Sequence, residues 1–223
     1  MKNQIAIIGL AALLAVAPAS FAKQSEADLL AMLHSGDYFS MCTALETLPN
    51  AYPNSTNAVA SIKGILRSNE VLVVTKKILG TEERNHAFYL REMPHVMTAR
   101  AAVRSLGEYH ATINDEELAI INTQLLHSRD EEAAMDGLKG LRGMKAPQAV
   151  PMILPLLEDH NAHVARDAIR TLAVLGDKSV IPYLTPLLHH PVHADIGWDA
   201  AKAISKLSGV AEPKSSGRKM GVK

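Results

Sequence analysis

The chain has 223 residues, of which 48% are hydrophobic and 4% aromatic, and its 23 basic residues balance 23 acidic ones. A zero net charge gives no support for binding to nucleic acid or to an anionic membrane, since both classes of protein usually carry a basic excess. The single cysteine, Cys42, excludes an intramolecular disulfide, so the fold has to be stabilised by apolar burial.

The first 22 residues are typical of a signal peptide. Lys2 gives a short positive start, and residues 5–17 form an apolar run that is too short for a stable membrane span. Residues 20–22 (Ser-Phe-Ala) place small side chains at both positions that determine cleavage. We therefore expect cleavage after Ala22 and a periplasmic or secreted protein without a membrane span. The alternative is an uncleaved membrane anchor.

The next region, residues 23–94, is predicted to consist of divergent helical repeats. Its apolar residues recur every three or four positions, which is the helical period. Ser25 is a predicted N-cap, residues 49–54 are predicted to form a loop, and Pro94 is predicted to end a helix. The expected helices cover residues 25–34, a stretch that ends near residue 48, and residues 55–67, 69–79 and 82–91.

Residues 95–208 contain a recognisable sequence repeat. Three leucine pairs, which start at residues 125, 156 and 187, follow one another at intervals of 31 residues. Helices that return at a fixed spacing are typical of an α-helical solenoid. The predicted inner helices are about 95–107, 131–144, 162–175 and 194–208, and the predicted outer helices are about 115–127, 147–158 and 179–189.

The last repeats carry a family resemblance. Residues 156–159 (LLED), 164–168 (VARDA) and 175–177 (LGD) resemble the HEAT repeat, in the short form first described in phycobiliprotein lyases. The match is good over 150–208, fair over 95–149 and poor over 23–94. The resemblance implies an all-α solenoid of antiparallel helix pairs that binds a protein partner. The lyase activity of some relatives is not implied, because nothing in the sequence matches a chromophore site.

Each inner helix has an apolar stripe at equivalent positions, which predicts a continuous core between neighbouring helices. Glycines at positions 137, 140 and 143 each weaken a helix by roughly 1 kcal/mol relative to alanine, so we expect close backbone packing there. The predicted core residues are Thr98, Ala102, Leu106 and Tyr109; Ala133, Gly137, Leu141 and Met144; Val164, Ala168, Leu172 and Leu175; and Ile196, Ala200, Ile204 and Leu207.

The side of the inner helices opposite this core is rich in cations. If the repeats stack in register, these residues form a basic ribbon with the only tryptophan as an aromatic anchor, and tryptophan and arginine are enriched at binding hot spots. The alternative is that the cations pair with Asp136, Asp167 and Asp199 between repeats, and that the tryptophan covers a terminal repeat. The predicted partner-binding residues are Arg100, Arg104, Lys139, Arg166, Arg170, Trp198 and Lys202.

Histidines cluster near the helix turns, where His160, His163, His190 and His193 are candidate metal ligands. No HExxH motif or further cysteine accompanies them, so solvated turn histidines are the simpler interpretation. The chain also has no His-Glu dipeptide, GxSxG, phosphate loop or GxGxxG, and we expect neither enzyme activity nor a cofactor. Residues 209–223 are predicted to be a disordered basic tail.

These patterns predict an exported, non-catalytic HEAT-repeat scaffold that binds a protein through its inner helical face. The alternatives are a histidine-based metal-binding protein and an accessory subunit of an enzyme.

Overall fold

The computed structural model describes residues 24–68, 86–126 and 130–210, and in the helix that starts at His86 it describes side chains from Met97 onward. All regular structure in these ranges is helical, which confirms the predicted α-solenoid of antiparallel helix pairs. The predicted signal peptide, and the predicted tail from residue 211 onward, lie outside the described residues. None of the described helices is both long enough and apolar enough to cross a membrane.

Three helices begin the described chain: α1 (Glu26–Leu33), α2 (Tyr38–Ala51) and α3 (Thr56–Arg67). Ser25 caps α1 as predicted, since its hydroxyl accepts a hydrogen bond from the backbone N–H of Asp28. Ser55 caps α3 in the same way, by accepting from the backbone N–H of Ala58. Such caps satisfy backbone donors that have no partner within the helix.

From residue 86 onward, long inner helices alternate with outer segments that contain short helices. The inner helices are α4 (His86–Glu108), α6 (Glu131–Met144), α8 (Ala162–Leu175) and α10 (Ala194–Ser208). The outer segments contain α5 (Asp115–Ile121), α7 (Val150–Ile153) and α9 (Ile181–Leu184). Each inner helix packs on the next one along the chain, and α4 also packs on α2 and α3.

Two predictions based on proline are wrong. Helix α2 runs through Pro49 to Ala51, so the predicted loop starts later, and α4 passes through Pro94, where a helix was expected to end. Proline removes one backbone hydrogen bond from a helix interior, and tertiary packing can outweigh that loss. In α4, every residue from Thr98 to Val103 is buried. The predicted helix over 69–79, and the first residues of the one over 82–91, lie outside the described residues.

The outer segments lie where they were predicted, but they are not continuous α-helices. Helix α5 continues as a π-helix over Asn122–Leu126. Helices α7 and α9 each lie between 3₁₀ turns, which cover Pro147–Ala149 and Leu154–Glu158 in one segment and Lys178–Val180 and Thr185–His189 in the other.

A second proline explains the change to 3₁₀ geometry. Pro155 follows Pro151 by four residues, and Pro186 follows Pro182 by four. The second proline of each pair has no N–H for the carbonyl four residues earlier, and its ring also clashes with that carbonyl. The chain therefore tightens into a 3₁₀ turn that starts one residue before Pro155 or Pro186.

The predicted core stripe is buried in α6 and α8, where Leu141 and Leu172 are fully buried. The expected glycine packing is also confirmed at two of the three positions in α6. A Cβ atom at Gly140 would lie 2.6 Å from the carbonyl oxygen of Val103, and one at Gly143 would lie 2.5 Å from the carbonyl oxygen of Gly107. The backbones of α4 and α6 therefore approach closely, and these two glycines permit that approach.

Candidate functional site

The inner helices present equivalent cations on the side opposite the core, and the structure shows what each one contacts. In α4, Arg100 is buried and donates to two acids of α6: Nε to Asp136 at 2.6 Å and Nη2 to Glu132 at 2.9 Å. Arg104, one turn further on, lies 3.5 Å from the other oxygen of Asp136. This pair of arginines thus joins α4 to α6.

The same arrangement returns between α8 and α10. Arg166 donates from Nε to Asp199 at 2.7 Å and from Nη1 to Asp195 at 3.2 Å. Arg170 donates from Nη2 to Asp199 at 3.1 Å, and its Nη1 lies 3.4 Å from Asp167 of its own helix. Four of the predicted contact residues are therefore engaged in ion pairs that link neighbouring inner helices.

The ion pairs of Arg100 and Arg166 affect the pKa values of their guanidinium groups. Burial by itself lowers the pKa of Arg100, but the hydrogen bonds and charges of the facing acids outweigh it and raise the pKa. The pKa of Arg166 is raised chiefly by its hydrogen bond to Asp199, and burial opposes the change only in part. Both guanidinium groups stay charged, which keeps the ion pairs intact over the physiological pH range.

The junction between α6 and α8 is different. Met135 and Lys139 occupy the positions that arginines hold in α4 and α8, and Asp167 pairs within its own helix. Lys139 is exposed, and in the part of the chain that the structure describes no carboxylate lies within ion-pair distance of its ammonium group. A cation in the middle of the array is thus available to a ligand.

Lys139 also borders a cleft of about 280 Å³ between α2, α4 and α6. Its lining is mostly polar and carries both signs of charge, so the cleft suits a polar group from another molecule more than an apolar one. The lining residues are Leu45, Glu46, Asn50, Ala101, Arg104, Ser105, Glu108 and Lys139. The α2 residues of this cleft were not predicted, because nothing in the sequence indicates that α2 lies beside Lys139.

Cys42 lies on α2 and is half-buried. Burial raises the pKa of its thiol, and the side chains of Tyr38 and Thr98 counter that rise only in part by hydrogen bonding. A thiol with a raised pKa is a poor nucleophile near neutral pH. These features favour a packing role for Cys42 over a reactive one.

Trp198 and Lys202 are exposed on α10. Trp198 occupies the position in α10 that Arg100 and Arg166 occupy in α4 and α8, but its side chain is 40% exposed. Those arginines reach forward to the next inner helix, whereas no inner helix follows α10 among the described residues.

The turn histidines are not brought together as a group. His190 and His193 stack with ring centroids 5.5 Å apart, and Nδ1 of His190 accepts a hydrogen bond from the backbone N–H of His193. The side chain of His160 is 92% exposed, and His163 is exposed too. Within the ranges 24–68, 97–126 and 130–210, no cluster of three or more His, Cys, Asp or Glu side chains is arranged to hold a metal ion.

One buried acid that sequence reasoning missed joins the N-terminal helices to the repeats. Glu117 of α5 is fully buried, and it lies 3.0 Å from Nζ of Lys63 and 3.4 Å from Nη2 of Arg67 in α3. The two cations are four residues apart on one helix face, which is the spacing that could have indicated a shared acidic partner. This contact is structural.

The second half of the chain resembles a known family of helical repeats. The model of a family described as HEAT repeats matches residues 121–205. This part of the chain is therefore similar to HEAT repeats. No curated protein sequence matches the chain. A solved structure titled as that of an engineered protein is similar at 19% identity over 85% of this chain and 79% of its own, with a TM-score of 0.45.

The HEAT match begins in α5 and ends in α10, so it covers the last three inner helices and excludes α1 to α4. Both the ion-paired junction of α8 with α10 and the unpaired junction around Lys139 lie within it.

Proposed function

We propose that this chain is an exported HEAT-repeat scaffold that binds a protein partner through the inner face of its repeats. HEAT repeats commonly mediate interactions between proteins, because a stacked array presents one extended surface. The resemblance to the short repeats of phycobiliprotein lyases remains a prediction about the subtype. No catalytic role enters this proposal.

The observation that supports this face most directly is the unpaired cation at its centre. Arg100, Arg104, Arg166 and Arg170 are held by acids of neighbouring helices, whereas Lys139 is exposed without such an acid among the described residues. An exposed, uncompensated charge attracts an opposite charge on a partner. We therefore place the first contact of the partner at Lys139 and the adjacent cleft, and expect it to offer a carboxylate.

A photo-crosslinking amino acid at position 139 should capture a discrete protein in the exported compartment. The same amino acid at Glu116, which is exposed on the outer segment, is the matched control and should capture none. The adduct can be identified by mass spectrometry, and the purified partner can then be titrated against the unlabelled chain. In that titration, Lys139→Glu should weaken binding about tenfold or more, because it puts two like charges together.

Lys178→Glu is the control for charge, since it makes the same change on an exposed residue of the outer layer. It should leave the affinity unchanged, and both variants should keep the melting temperature of the parent. Equal loss of affinity in the two variants would show that net charge, and not the inner face, controls binding. Undiminished affinity of the Lys139→Glu variant would remove the inner face from the proposal.

Export rests on the composition of the first 22 residues. The mature protein recovered from the producing cell should start at Lys23, as read by N-terminal mass spectrometry. A chain that retains Met1 and stays in the cytoplasmic fraction would contradict export, and it would leave the binding proposal to be tested in that compartment.

A further inference from the structure

A buried hydroxyl in the cleft between α2, α4 and α6 has no hydrogen-bond partner. Ser105 of α4 lines this cleft and is 2% exposed, and its Oγ makes no hydrogen bond in the part of the chain that the structure describes. Thr171 has the equivalent position in α8, directly after the arginine that corresponds to Arg104. Its hydroxyl donates to the carbonyl of Asp167, four residues earlier, at 2.7 Å. Ser105 makes no such bond, so its hydroxyl remains available to a ligand in the cleft.

The charged side chains of the same cleft are largely unpaired. Among the described residues, Lys139 has no acid within ion-pair distance, and neither Glu46 nor Glu108 has a basic group there. Arg104 is only weakly engaged, since its nearest carboxylate oxygen, on Asp136, lies 3.5 Å away and its side chain is 30% exposed. The cleft therefore offers two cations and two acids to an occupant.

The balance of these charges indicates what kind of molecule fits. A simple anion is attracted by the two cations and repelled by the two acids, and a simple cation meets the reverse. A zwitterion has a partner for both. Lys139 comes from α6 and Glu46 from α2, so the opposite charges lie on different walls of the cleft. The volume of about 280 Å³ is close to the lower end of the range of about 300–1,000 Å³ that ligand clefts cover, which indicates a small ligand.

We propose that the cleft binds a free α-amino acid, which carries a carboxylate and an ammonium group on one carbon atom. The carboxylate lies between Lys139 and Arg104 and accepts a hydrogen bond from the hydroxyl of Ser105, which gains the partner that it lacks in the protein. The ammonium group lies toward Glu46 and Glu108. Both charges of the ligand are thus compensated within one cleft.

The lining also selects the side chain of the amino acid. Because most of the lining is polar, a large apolar side chain would gain little burial there. Asn50 is exposed, and its Nδ2 donates to the backbone carbonyl of Glu46 at 3.1 Å, which leaves its amide oxygen as an acceptor for a polar group. We therefore expect alanine, serine and glutamine to bind more tightly than leucine.

Isothermal titration of the purified chain with alanine, serine and glutamine should show saturable binding, with a dissociation constant of about 1 mM or lower for the tightest of them. The amide derivative of that amino acid lacks the carboxylate, and its N-acetyl derivative lacks the ammonium charge. Each derivative should bind about tenfold more weakly than the free amino acid. The proposal would be overturned if none of the three amino acids bound, or if both derivatives bound as tightly as the parent.

Two variants test which side chain holds which charge. Lys139→Gln should weaken binding of the amino acid about tenfold but leave its amide derivative unaffected, since that derivative has no carboxylate. Glu108→Gln should weaken the amino acid in the same way but leave the N-acetyl derivative unaffected. Lys178→Gln and Glu116→Gln change exposed residues of the outer layer, so these matched controls should alter neither affinity. Unchanged affinity for the amino acid in both cleft variants would overturn the proposal, as would an equal loss for the amino acid and both derivatives.

Ser105→Ala separates ligand binding from folding. It should weaken binding several-fold and yet keep or raise the melting temperature, because the hydroxyl has no described partner to lose. A lower melting temperature with unchanged affinity would show that the hydroxyl serves the fold, and the proposed contact with the ligand would be wrong. These titrations contain no partner protein. Absence of amino-acid binding would therefore leave the scaffold function standing, and failure of crosslinking at position 139 would leave this inference standing.

Discussion

Replacing Gly140 with alanine should lower the free energy of unfolding by about 2–3 kcal/mol, even though alanine favours a helix more than glycine does. The added Cβ would lie 2.6 Å from the carbonyl oxygen of Val103 and even closer to the Val103 side chain. The carbonyl belongs to the backbone of α4, which is buried on several sides, so it cannot move without displacing neighbouring helices. Overpacking of this kind costs more than the gain in helix propensity.

Urea denaturation that compares midpoints at an unchanged slope measures this effect. The matched control is Gly64→Ala in α3, where a Cβ would meet no atom within 4 Å. That variant should gain about 0.5–1 kcal/mol, since only the preference for alanine in a helix operates there. The same substitution should thus have opposite signs at the two sites. A stabilised Gly140→Ala variant would show that α4 and α6 are further apart than described.

Replacing Asp136 with alanine should cost about 3–5 kcal/mol, because it leaves a buried guanidinium without its principal partner. The side chain of Arg100 is only 8% exposed, and its 2.6 Å hydrogen bond to Asp136 is its shortest ion pair. Arg104 would lose its acid as well. Glu132 would remain, but its side chain is 69% exposed and cannot compensate for a desolvated charge.

Glu132→Ala is the control for this prediction. It removes the other acid that contacts Arg100, but from an exposed position, so it should cost less than about 1 kcal/mol. Calorimetry on both variants gives the comparison. Similar losses for the two would mean that Asp136 contributes no more than an ordinary surface pair, and the α4–α6 junction would then depend on apolar and glycine packing alone.

The inner helices could be predicted closely from the sequence, because a helix that buries one side repeats its apolar residues every three or four positions. The predicted bounds of α6, α8 and α10 agree with the structure for this reason. Proline positions predicted the helix ends less well. At Pro155 and Pro186 the α-helix does give way to a 3₁₀ turn, but at Pro49 and Pro94 the helix continues because packing outweighs the local preference of proline.

The candidate site was harder to predict, since the positions of its cations could be predicted but their partners could not. A helical wheel places Arg100 and Lys139 in similar surroundings. Only the register between helices shows that Arg100 meets Asp136 and that Lys139 meets no acid among the described residues. The contribution of α2 to the cleft depends on a contact between segments far apart in sequence, about which periodicity carries no information.

The mixed geometry of the outer segments has a consequence for how the two layers fit. A 3₁₀ residue advances about 2.0 Å along the axis and an α-helical residue about 1.5 Å. The segment from Pro147 to Glu158 therefore spans about 22 Å, close to the roughly 21 Å of α8, although it has fewer residues. Because of its 3₁₀ turns, an outer segment reaches about the same length as the inner helix beside it with fewer residues. The loops that join the two layers can therefore be short.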